Sequence, residues 1–360
     1  MKVFMQYPWF FPDSPYYKYL FDYKPDGVEY INPLVRSRDV ITTSDKLLKS
    51  NNLKHTLRNI IFKTRLPIPN VRYSKADSGV DLIHCAHCLS LNNKPWVADI
   101  EIFWQGILCN VDNPIGVSLA KHIMLRNSCK RIIAWTDHVK EKMVAFYGKE
   151  LESKIDVVYP AVEINKKNDV SGKRCILLFV ARDAEAKGIK IALDAYVKLV
   201  DKYKSSRFIV VGNVNLTTKE RYSSVKNIEF HDLMPRETLK KKIFPKASIF
   251  VYPGISDTFG FGYLEAMSFG IPILTVDNFG RKCIVEPWKN GLVSKVEFDK
   301  NGFISKIDED DFLDKLDVLM STPKLRKRLG DNNWREVKSG RYSLGVRNAA
   351  MKKIYEDALR

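Results

Sequence analysis

The chain has 360 residues, of which 45% are hydrophobic and 28% charged, so it has the composition of a globular protein and the length for about two domains. Its 59 Lys and Arg against 42 Asp and Glu give a formal net charge of +17, which favours an anionic partner. No secretory signal, bilayer-spanning apolar run, RNP, zinc-finger or basic-zipper pattern is recognised. We therefore expect a cytoplasmic protein with no specific nucleic-acid site and with six scattered cysteines that stay reduced.

The first half of the chain reads loosely as alternating strands and helices. Apolar runs at residues 3–5, 81–84, 95–98 and 131–135 are the expected strands. Between residues 7 and 73 the pattern is irregular and rich in Tyr, Phe and Pro. Alternation of this kind predicts βαβ units and a parallel sheet.

The second half begins at a polar segment, residues 165–173, where we place the domain boundary. Apolar runs at residues 175–180, 208–211, 249–252 and 271–275 predict strands buried in a parallel sheet. The predicted domains are residues 1–168, residues 169–340 and a C-terminal helix at residues 341–360 that packs back on the first domain. In open α/β sheets ligands bind at the carboxyl ends of the strands, so the loops after these runs are the candidate sites.

One of these loops combines glycines with carboxylates. Gly260 and Gly262 allow the backbone to approach a ligand, and the helix that follows offers free N–H groups to an anion or a sugar hydroxyl. Asp257 and Glu265 flank the turn and could accept hydrogen bonds from sugar hydroxyls. Alternatively, Asp257 caps the helix and Glu265 is solvated. Gly270 is expected to end the helix in a left-handed conformation.

The loop after residues 175–180 carries two cations. Arg182 follows the predicted strand and Lys187 precedes the predicted helix, so both could point into a crevice and neutralise a diphosphate. They could also be ordinary solvated loop cations. Their position upstream of Asp257 favours the diphosphate site.

Taken together, these residues resemble the retaining nucleotide-sugar glycosyltransferases of family 4, the glycosyl transferases group 1. The family pattern of an acidic residue, seven others and a Glu is met by Asp257 and Glu265, and its Arg followed by Lys-Gly is met by Arg182 and Lys187. The resemblance covers residues 174–360. Two connecting segments are also similar to the family, residues 230–235 and 290–293.

The resemblance implies the GT-B architecture, in which two Rossmann-like, doubly wound α/β domains face each other across a cleft. It also implies transfer of a sugar from a nucleoside-diphosphate sugar to an acceptor hydroxyl of a glycan or a lipid-linked molecule, with retention of configuration and without a metal or other cofactor. The implied catalytic residues are Arg182, Lys187, Asp257 and Glu101. The implied donor-binding residues are Glu265, Phe259, Gly260, Phe261, Gly262, Leu264, Gly212 and Leu233.

The chain departs from the family pattern in three places. Asp257 stands where the family usually has Glu and is one methylene shorter, which changes its reach toward a donor sugar. Glu101 stands where many members carry a His, and we expect Glu101 and Asp99 to face the cleft, or else Glu101 to be a strand-end residue paired with a Lys. An aromatic segment at residues 7–13 replaces the usual glycine-rich loop, and could stack on a sugar, dip into a lipid interface or pack inside the domain.

Two other functions stay open from the sequence. The net charge and the basic runs at residues 240–242 and 324–328 are compatible with a protein that binds nucleic acid or an anionic membrane surface. A milder form of this idea is an enzyme that visits an anionic membrane. The departures at Asp257 and Glu101 are compatible with a nucleotide-sugar-binding protein that has lost turnover.

The segment His84 to Cys88 contains four potential metal ligands. Adjacent ligands at a strand end cannot easily close a tetrahedron, and no second Cys or His pair completes the set. We expect no metal site, and we expect His84 or His87 to line the cleft instead.

Overall fold

The computed structural model divides the chain into two compact units. The structure describes residues 1–8, 14–33, 63, 66–76, 79–111, 113–225, 227–299 and 304–360. Among these residues, the first unit contains those up to 161 together with 344–360, and the second unit contains those from 162 to 343. The last helix of the chain therefore belongs to the same unit as the first strand.

The strands, in chain order, are β1 Lys2–Gln6, β2 Glu29–Ile31, β3 Val71–Arg72, β4 Leu82–Ala86, β5 Leu89–Ser90, β6 Trp96–Ile100, β7 Cys129–Ala134, β8 Ile155–Val157, β9 Ile176–Asp183, β10 Arg207–Asn213, β11 Ile228–His231, β12 Ile249–Val251, β13 Ile273–Val276, β14 Gly291–Ser294, β15 Val296–Phe298 and β16 Ile304–Ile307.

The α-helices are α1 Pro15–Asp22, α2 Pro114–Leu125, α3 Asp137–Tyr147, α4 Ile189–Leu199, α5 Leu216–Arg221, α6 Arg236–Thr238, α7 Phe261–Ser268, α8 Glu309–Ser321, α9 Pro323–Lys338 and α10 Leu344–Leu359. Shorter 3₁₀ segments lie at Phe103–Gly106, Lys149–Lys154, Phe244–Lys246 and Arg281–Cys283, and a π-helical turn lies at Leu239–Ile243. Among the residues described, no helix combines the length and the apolar character needed to cross a bilayer.

Short polar residues start several of these helices. Ser14, Asn113, Thr136 and Asp308 precede α1, α2, α3 and α8, and each side chain accepts a hydrogen bond from a backbone N–H group of the first turn. Such caps satisfy donors that have no partner inside the helix. The local sequence therefore determines where these helices begin.

The first unit is built on a six-stranded parallel sheet with the order β2-β1-β4-β6-β7-β8. Its central strands β4 and β6 are buried along their whole length. The chain passes from β1 to β2 on one side and then to β4 on the other, so the strand order reverses between β1 and β4. Helix α10 packs against β4, β6 and β7. Residues 9–13 of the aromatic segment after β1 lie outside the described residues.

The second unit contains another six-stranded parallel sheet, with the order β11-β10-β9-β12-β13-β14. The chain runs from β9 through β10 to β11 on one side, and from β12 through β13 to β14 on the other. The strand order therefore reverses between β9 and β12, and open α/β sheets bind ligands at such a switch point. The loops that follow these two strands carry the cations and the glycine turn singled out in the sequence. The predicted α/β class with two Rossmann-like sheets is confirmed.

The polar segment that was expected to separate the domains lies inside the second unit. Asn165 donates a hydrogen bond from Nδ2 to Ser268 Oγ at 2.9 Å. Asn168 donates from Nδ2 to the carbonyls of Phe244 and Ala247 at 2.7 and 2.9 Å. Because these amides are bonded within the second unit, the division falls at residues 161/162 and not at 168/169.

Gly212 occupies a position in β10 that only glycine fits. Its φ is +154°, and an added Cβ would lie 2.0 Å from the carbonyl oxygen of Ala181 in the neighbouring strand. We expect Gly212→Ala to lower the free energy of unfolding by at least about 2 kcal/mol in a denaturant titration, because the backbone must shift. Gly172→Ala is the matched control, since its added Cβ would meet nothing within 4 Å. Equal effects of the two substitutions would contradict this explanation.

Candidate functional site

The two loops at the switch point of the second sheet are joined by direct contacts. The Lys187 ammonium group forms an ion pair with Asp257 and donates a hydrogen bond to Ser256 Oγ at 3.0 Å. The Gly254 N–H group donates to the Lys187 carbonyl at 3.0 Å. Gly188 is left-handed, and an added Cβ there would lie 2.8 Å from the Ile255 side chain. The sequence-predicted residues Lys187 and Asp257 are thus brought together.

Both carboxylate oxygens of Asp257 have partners. Oδ1 pairs with Lys187, and Oδ2 accepts a hydrogen bond from the Tyr252 hydroxyl at 2.5 Å. Burial, followed by the negative charge of Asp257, raises the pKa of Tyr252 well above its ordinary value, so this hydroxyl keeps its proton. The alternative in which Asp257 caps the following helix is wrong, because the N-cap of α7 is Gly260.

Gly260 begins helix α7 in the left-handed conformation that a glycine tolerates. Its φ is +81°, and an added Cβ would lie 2.5 Å from the Tyr263 ring. Phe261 and Gly262 follow at the first positions of α7 and are half-buried. The helix therefore presents the N–H groups of its first turn at the edge where the loops meet. Gly270 ends α7 with a φ of +70°, as expected.

Two residues of the predicted donor site are placed differently from the rest. The side chains of Phe259 and Leu264 are 1% and 0% exposed, because α7 packs against the sheet. They therefore offer no side-chain surface to a ligand in this structure. Leu233, in the loop after β11, is half-buried.

Arg182 lies at the carboxyl end of β9, a central strand of the second sheet. It is the penultimate residue of β9, and its side chain is exposed. The strand is longer than expected, so Arg182 belongs to the strand and not to the loop. The backbone of Arg182 is therefore held as part of a strand and not as part of a loop.

Glu265 lies on α7 and is bound by an arginine that the sequence analysis did not single out. Its carboxylate forms an ion pair with Arg236, the first residue of α6. Glu265 is 8% exposed, so the alternative of a solvated helix residue is wrong. The signal for Arg236 was its place directly after the family-like segment at residues 230–235. The pair orients the Glu265 carboxylate at the same end of the sheet.

A second arginine that the sequence analysis did not single out lies under the glycine loop. Arg281 follows β13 and is 0% exposed. Its guanidinium group donates to three carbonyl groups of the loop between β12 and α7. No local sequence feature distinguishes it from a surface arginine.

In the first unit, Asp99 is the centre of a buried polar cluster. Its Oδ1 accepts a 2.5 Å hydrogen bond from the Tyr17 hydroxyl and lies 3.5 Å from His87 Nδ1. Its Oδ2 lies 2.9 Å from His84 Nε2, and His84 Nδ1 lies 2.6 Å from the Tyr355 hydroxyl of α10. The expectation that Asp99 faces a cleft is wrong, because β6 is a central strand and Asp99 is 0% exposed. The two histidines are buried as well, so neither lines a cleft.

Asp99 is expected to make the stability of the fold depend on pH. Burial alone raises the pKa of this carboxyl, but the hydrogen bond from His84 and the positive charge of His87 outweigh burial and lower the pKa. Since the folded pKa lies below the unfolded value of about 3.9, the carboxylate stabilises the fold above that pH and loses this contribution as the pH falls through the folded pKa. The difference in unfolding free energy between wild type and Asp99→Asn should therefore be larger at about pH 5 than at about pH 3. A difference that is the same at both pH values would contradict the ionised role of Asp99.

Glu101 follows β6 directly and is half-buried. Its backbone N–H group donates to Gln105 Oε1 at 2.7 Å, which fixes the turn after the strand. The two acidic residues of this segment thus have different surroundings: Asp99 is buried within β6, and Glu101 follows the carboxyl end of this strand. The predicted placement of Glu101 at the cleft stays a prediction.

The cysteine and histidine segment is not arranged around a common point. Cys85 Sγ donates to Gln6 Oε1 at 3.2 Å, while His84 is bonded to Asp99 and Tyr355. In the part of the chain that the structure describes, no group of three His, Cys, Asp or Glu side chains is placed to hold a metal ion. All six cysteines are free thiols.

The two basic runs contain side chains that are not surface charges. Lys240 forms an ion pair with Glu163, and its side chain is 10% exposed. Arg326 is 0% exposed and donates to four backbone carbonyls. The basic surface is therefore smaller than the sequence alone suggests.

Comparison with curated proteins finds distant relatives. The chain is 23% identical over 235 residues to a D-inositol 3-phosphate glycosyltransferase of Segniliparus rotundus, which covers 60% of this chain and 50% of that protein. It is 27% identical over 293 residues to the uncharacterized glycosyltransferase MJ1178 of Methanocaldococcus jannaschii, which covers 78% and 76%. With spore coat protein SA of Bacillus subtilis it shares 25% identity over 190 residues, or 49% and 47% of the two chains. The matched stretch thus spans about half the length of two of these relatives.

Two solved structures share the fold along the whole chain. Anabaena Alr3699/HepE, crystallised with UDP, superposes with a TM-score of 0.65 at 13% identity and covers 99% of this chain and 100% of that one. A glycosyltransferase of Rickettsia africae superposes with a TM-score of 0.63 at 15% identity and covers 100% and 98%. The predicted GT-B fold is confirmed by these similarities.

Residues 162–335 match the sequence model of the family described as glycosyl transferases group 1. These residues include the second sheet, the switch point and the pair of loops that join Lys187 to Asp257. This second domain of the chain is therefore similar to the glycosyl transferases group 1.

Proposed function

We propose that this protein is a retaining glycosyltransferase that moves a sugar from a nucleoside-diphosphate sugar to an acceptor hydroxyl of a glycan or a lipid-linked molecule. The observation that carries the proposal is the contact of Lys187 with Asp257 at the switch point, beside the first turn of α7. A cation, a carboxylate and helix N–H groups at one point match the phosphate and hydroxyl groups of such a donor. The similarity of residues 162–335 to the glycosyl transferases group 1 supports the same reaction.

In the proposed reaction the bond between the anomeric carbon and the diphosphate oxygen breaks, and a bond to the acceptor oxygen forms on the same face of the sugar. The proton of the acceptor hydroxyl leaves with the diphosphate. Arg182 and Lys187 stabilise the negative charge that builds up on the diphosphate. No resident metal or other cofactor is assigned, because these two cations take the role of a metal ion.

The remaining residues hold the donor and the transition state. Glu265, held by Arg236, accepts hydrogen bonds from the ribose hydroxyls. Asp257 and the backbone of the turn at Phe259, Gly260, Phe261 and Gly262 hold the donor sugar, together with Gly212 near the end of β10 and Leu233 in the loop after β11. We assign to Glu101 of the first domain the stabilisation of positive charge that develops at the anomeric carbon.

We extend the proposal to the place of the reaction. The net charge of +17 supports a cytoplasmic enzyme that touches an anionic membrane, where a lipid-linked acceptor is available. Such contact weakens as the salt concentration rises, whereas donor binding in an enclosed site changes less. Flotation of the protein with anionic vesicles at low and high salt measures this contact.

Calorimetric titration of the protein with UDP, GDP and ADP, and with their common sugar conjugates, tests the proposal. We expect saturable binding of one nucleotide and its sugar conjugates, weakened in Arg182→Ala. A folded wild-type protein that binds none of these compounds would overturn the proposed function. Tight binding of DNA or RNA that falls steeply with salt would then favour the basic binding protein.

A further inference from the structure

Arg281 is a buried cation whose hydrogen bonds go to one loop. Nη1 donates to the Phe259 carbonyl at 2.8 Å, and Nη2 donates to the carbonyls of Gly254 and Asp257 at 3.2 and 3.0 Å. All three acceptors lie between β12 and α7, in the loop that carries Asp257. The loop therefore wraps around the guanidinium group.

No carboxylate compensates for this buried charge. Among the residues described, no Asp or Glu forms an ion pair with Arg281. Its guanidinium carbon lies 4.5 Å from the centroid of the Tyr263 ring, and its Nε has no hydrogen-bond partner within the described part of the chain. Burying a cation is costly unless other groups compensate, so the three carbonyls and the ring are the groups that stabilise it. In return, the guanidinium fixes the orientation of the carbonyls.

Two glycines make room for the Tyr263 side chain, which comes closest to an added Cβ at either position, and for the guanidinium. An added Cβ at Gly254 would lie 3.3 Å from Arg281 Nη2, and one at Gly260 would lie 3.2 Å from Nη1. Both glycines are left-handed, with φ of +66° and +81°. The loop conformation and the position of Arg281 thus depend on each other.

The inward carbonyls determine where the loop N–H groups point. In a planar trans peptide the C=O and N–H groups point in opposite directions, and the chain has no cis peptide among the residues described. With the carbonyls of Gly254 and Phe259 turned toward Arg281, the N–H groups of Ile255 and Gly260 point away from it. Donors arranged in this way favour an oxygen-rich ligand such as a phosphate or a sugar hydroxyl.

We propose that Arg281 is a positioning residue for the donor sugar: it sets the conformation of residues 254–259, and through them the Asp257 side chain and the outward N–H groups. This inference rests on the proposed function. It adds a residue outside the family pattern and assigns it to the sugar rather than to the nucleotide. Its effect is therefore expected in the affinity for the nucleotide sugar compared with that for the free nucleotide.

The matched control is Arg326, another arginine that is buried and bonded to backbone carbonyls. Its guanidinium donates to the carbonyls of Val170, Leu319, Met320 and Gly172 at 2.6 to 2.9 Å, on α9 and away from the glycine loop. Replacing either arginine by methionine removes a buried guanidinium and three or more hydrogen bonds. A loss of stability is therefore common to both variants, whereas a change in sugar recognition is not.

The experiment measures the dissociation constants of the free nucleotide and of its sugar conjugate for wild type, Arg281→Met, Arg281→Lys and Arg326→Met. The affinity ratio is the dissociation constant of the free nucleotide divided by that of its sugar conjugate. This ratio does not depend on the fraction of active protein. We expect the ratio to fall about tenfold in Arg281→Met, to recover in part in Arg281→Lys, whose ammonium keeps the charge but not the fork, and to stay unchanged in Arg326→Met. If Arg281→Met does not fold, Arg281→Lys alone is expected to show a smaller decrease.

Hydrogen–deuterium exchange of the ligand-free proteins separates this inference from the proposed function. We expect the amides of residues 254–260 to exchange faster in Arg281→Met and in Arg281→Lys than in wild type, and at the wild-type rate in Arg326→Met. The role of Arg281 would be overturned if Arg281→Met exchanged at the wild-type rate. It would also be overturned if wild type bound nucleotide sugars and Arg281→Met had the same affinity ratio as wild type. The wild-type protein could bind no nucleotide sugar while the Arg281 variants still exchange faster than wild type. That result would overturn the proposed function, and with it the role of Arg281 in donor binding.

Discussion

Replacing Lys187 by methionine is expected to lower kcat/KM of sugar transfer by about 10²- to 10³-fold, because the departing diphosphate loses a cation that acts where negative charge develops. The methionine side chain keeps most of the apolar stem, so the change is mainly one of charge. The measurement is the initial rate of transfer from the nucleotide sugar identified by calorimetry. In the proposed reaction Lys187 acts on the leaving group, so kcat is expected to fall more than KM rises.

Lys190→Met is the control for this experiment. Lys190 lies three residues further along the chain, in the first turn of α4, and 56% of its side chain is exposed. Among the residues described, its one ion pair is with Glu185. Its replacement removes the same charge a few residues from Lys187 and is expected to change kcat/KM by less than about twofold. Equal losses in Lys187→Met and Lys190→Met would mean that Lys187 contributes only to the general field of the protein and is not part of the site.

Replacing Glu265 by glutamine is expected to weaken nucleotide binding by about 10- to 100-fold, since hydrogen bonds to a charged group contribute about 1.5–3 kcal/mol. The ribose hydroxyls lose a charged acceptor, and Arg236 loses its carboxylate partner in a site where both side chains are 11% exposed. The free energy of unfolding is expected to fall as well, by about 1–3 kcal/mol. Calorimetry measures the first effect, and denaturant titration measures the second.

Glu237→Gln provides the matched control, because Glu237 follows Arg236 in the same short helix and 64% of its side chain is exposed. It is expected to change nucleotide affinity by less than about twofold. The double variant Arg236→Gln with Glu265→Gln then separates the ion pair from the ribose contact. If the double variant binds nucleotide as wild type does, Glu265 is a structural partner of Arg236 and not a ligand of the ribose.

In the second domain, the strands predicted from apolar runs are the four central strands of the sheet. The run at residues 175–180 corresponds to β9 Ile176–Asp183, and the run at residues 208–211 corresponds to β10 Arg207–Asn213. Strands buried on both faces read as continuous apolar runs. The observed strand β9 is longer than its apolar run because pairing with β10 continues to Asp183, with a register shift at Gly212 and Asn213.

In the first domain, the central strands were predicted and the edges were missed. β4 and β6 match the runs at residues 81–84 and 95–98, shifted by one or two residues. β2 and β8 are three-residue strands at the two edges of the sheet, and they lack a long apolar run because each pairs on one side only. Edge strands are commonly short for this reason.

The sequence by itself determined the fold class, the central strands of the two sheets and the loops that carry the candidate donor site. Lys187, Asp257 and Glu265 follow or enter their elements at positions that local chemistry and the family pattern make visible. The loops that carry these residues must lie at the same end of the sheet, because parallel strands have their carboxyl ends on one side.

Only the tertiary structure decided which charged residues are buried and what they bind. Asp99 is joined to Tyr17, 82 positions away in the sequence, and Arg281 binds a loop 22 to 27 positions away. In the sequence each of them is one more charged residue in a chain rich in them. Burial makes such a residue specific, because a charge removed from water must find its partners among whichever groups the fold places beside it.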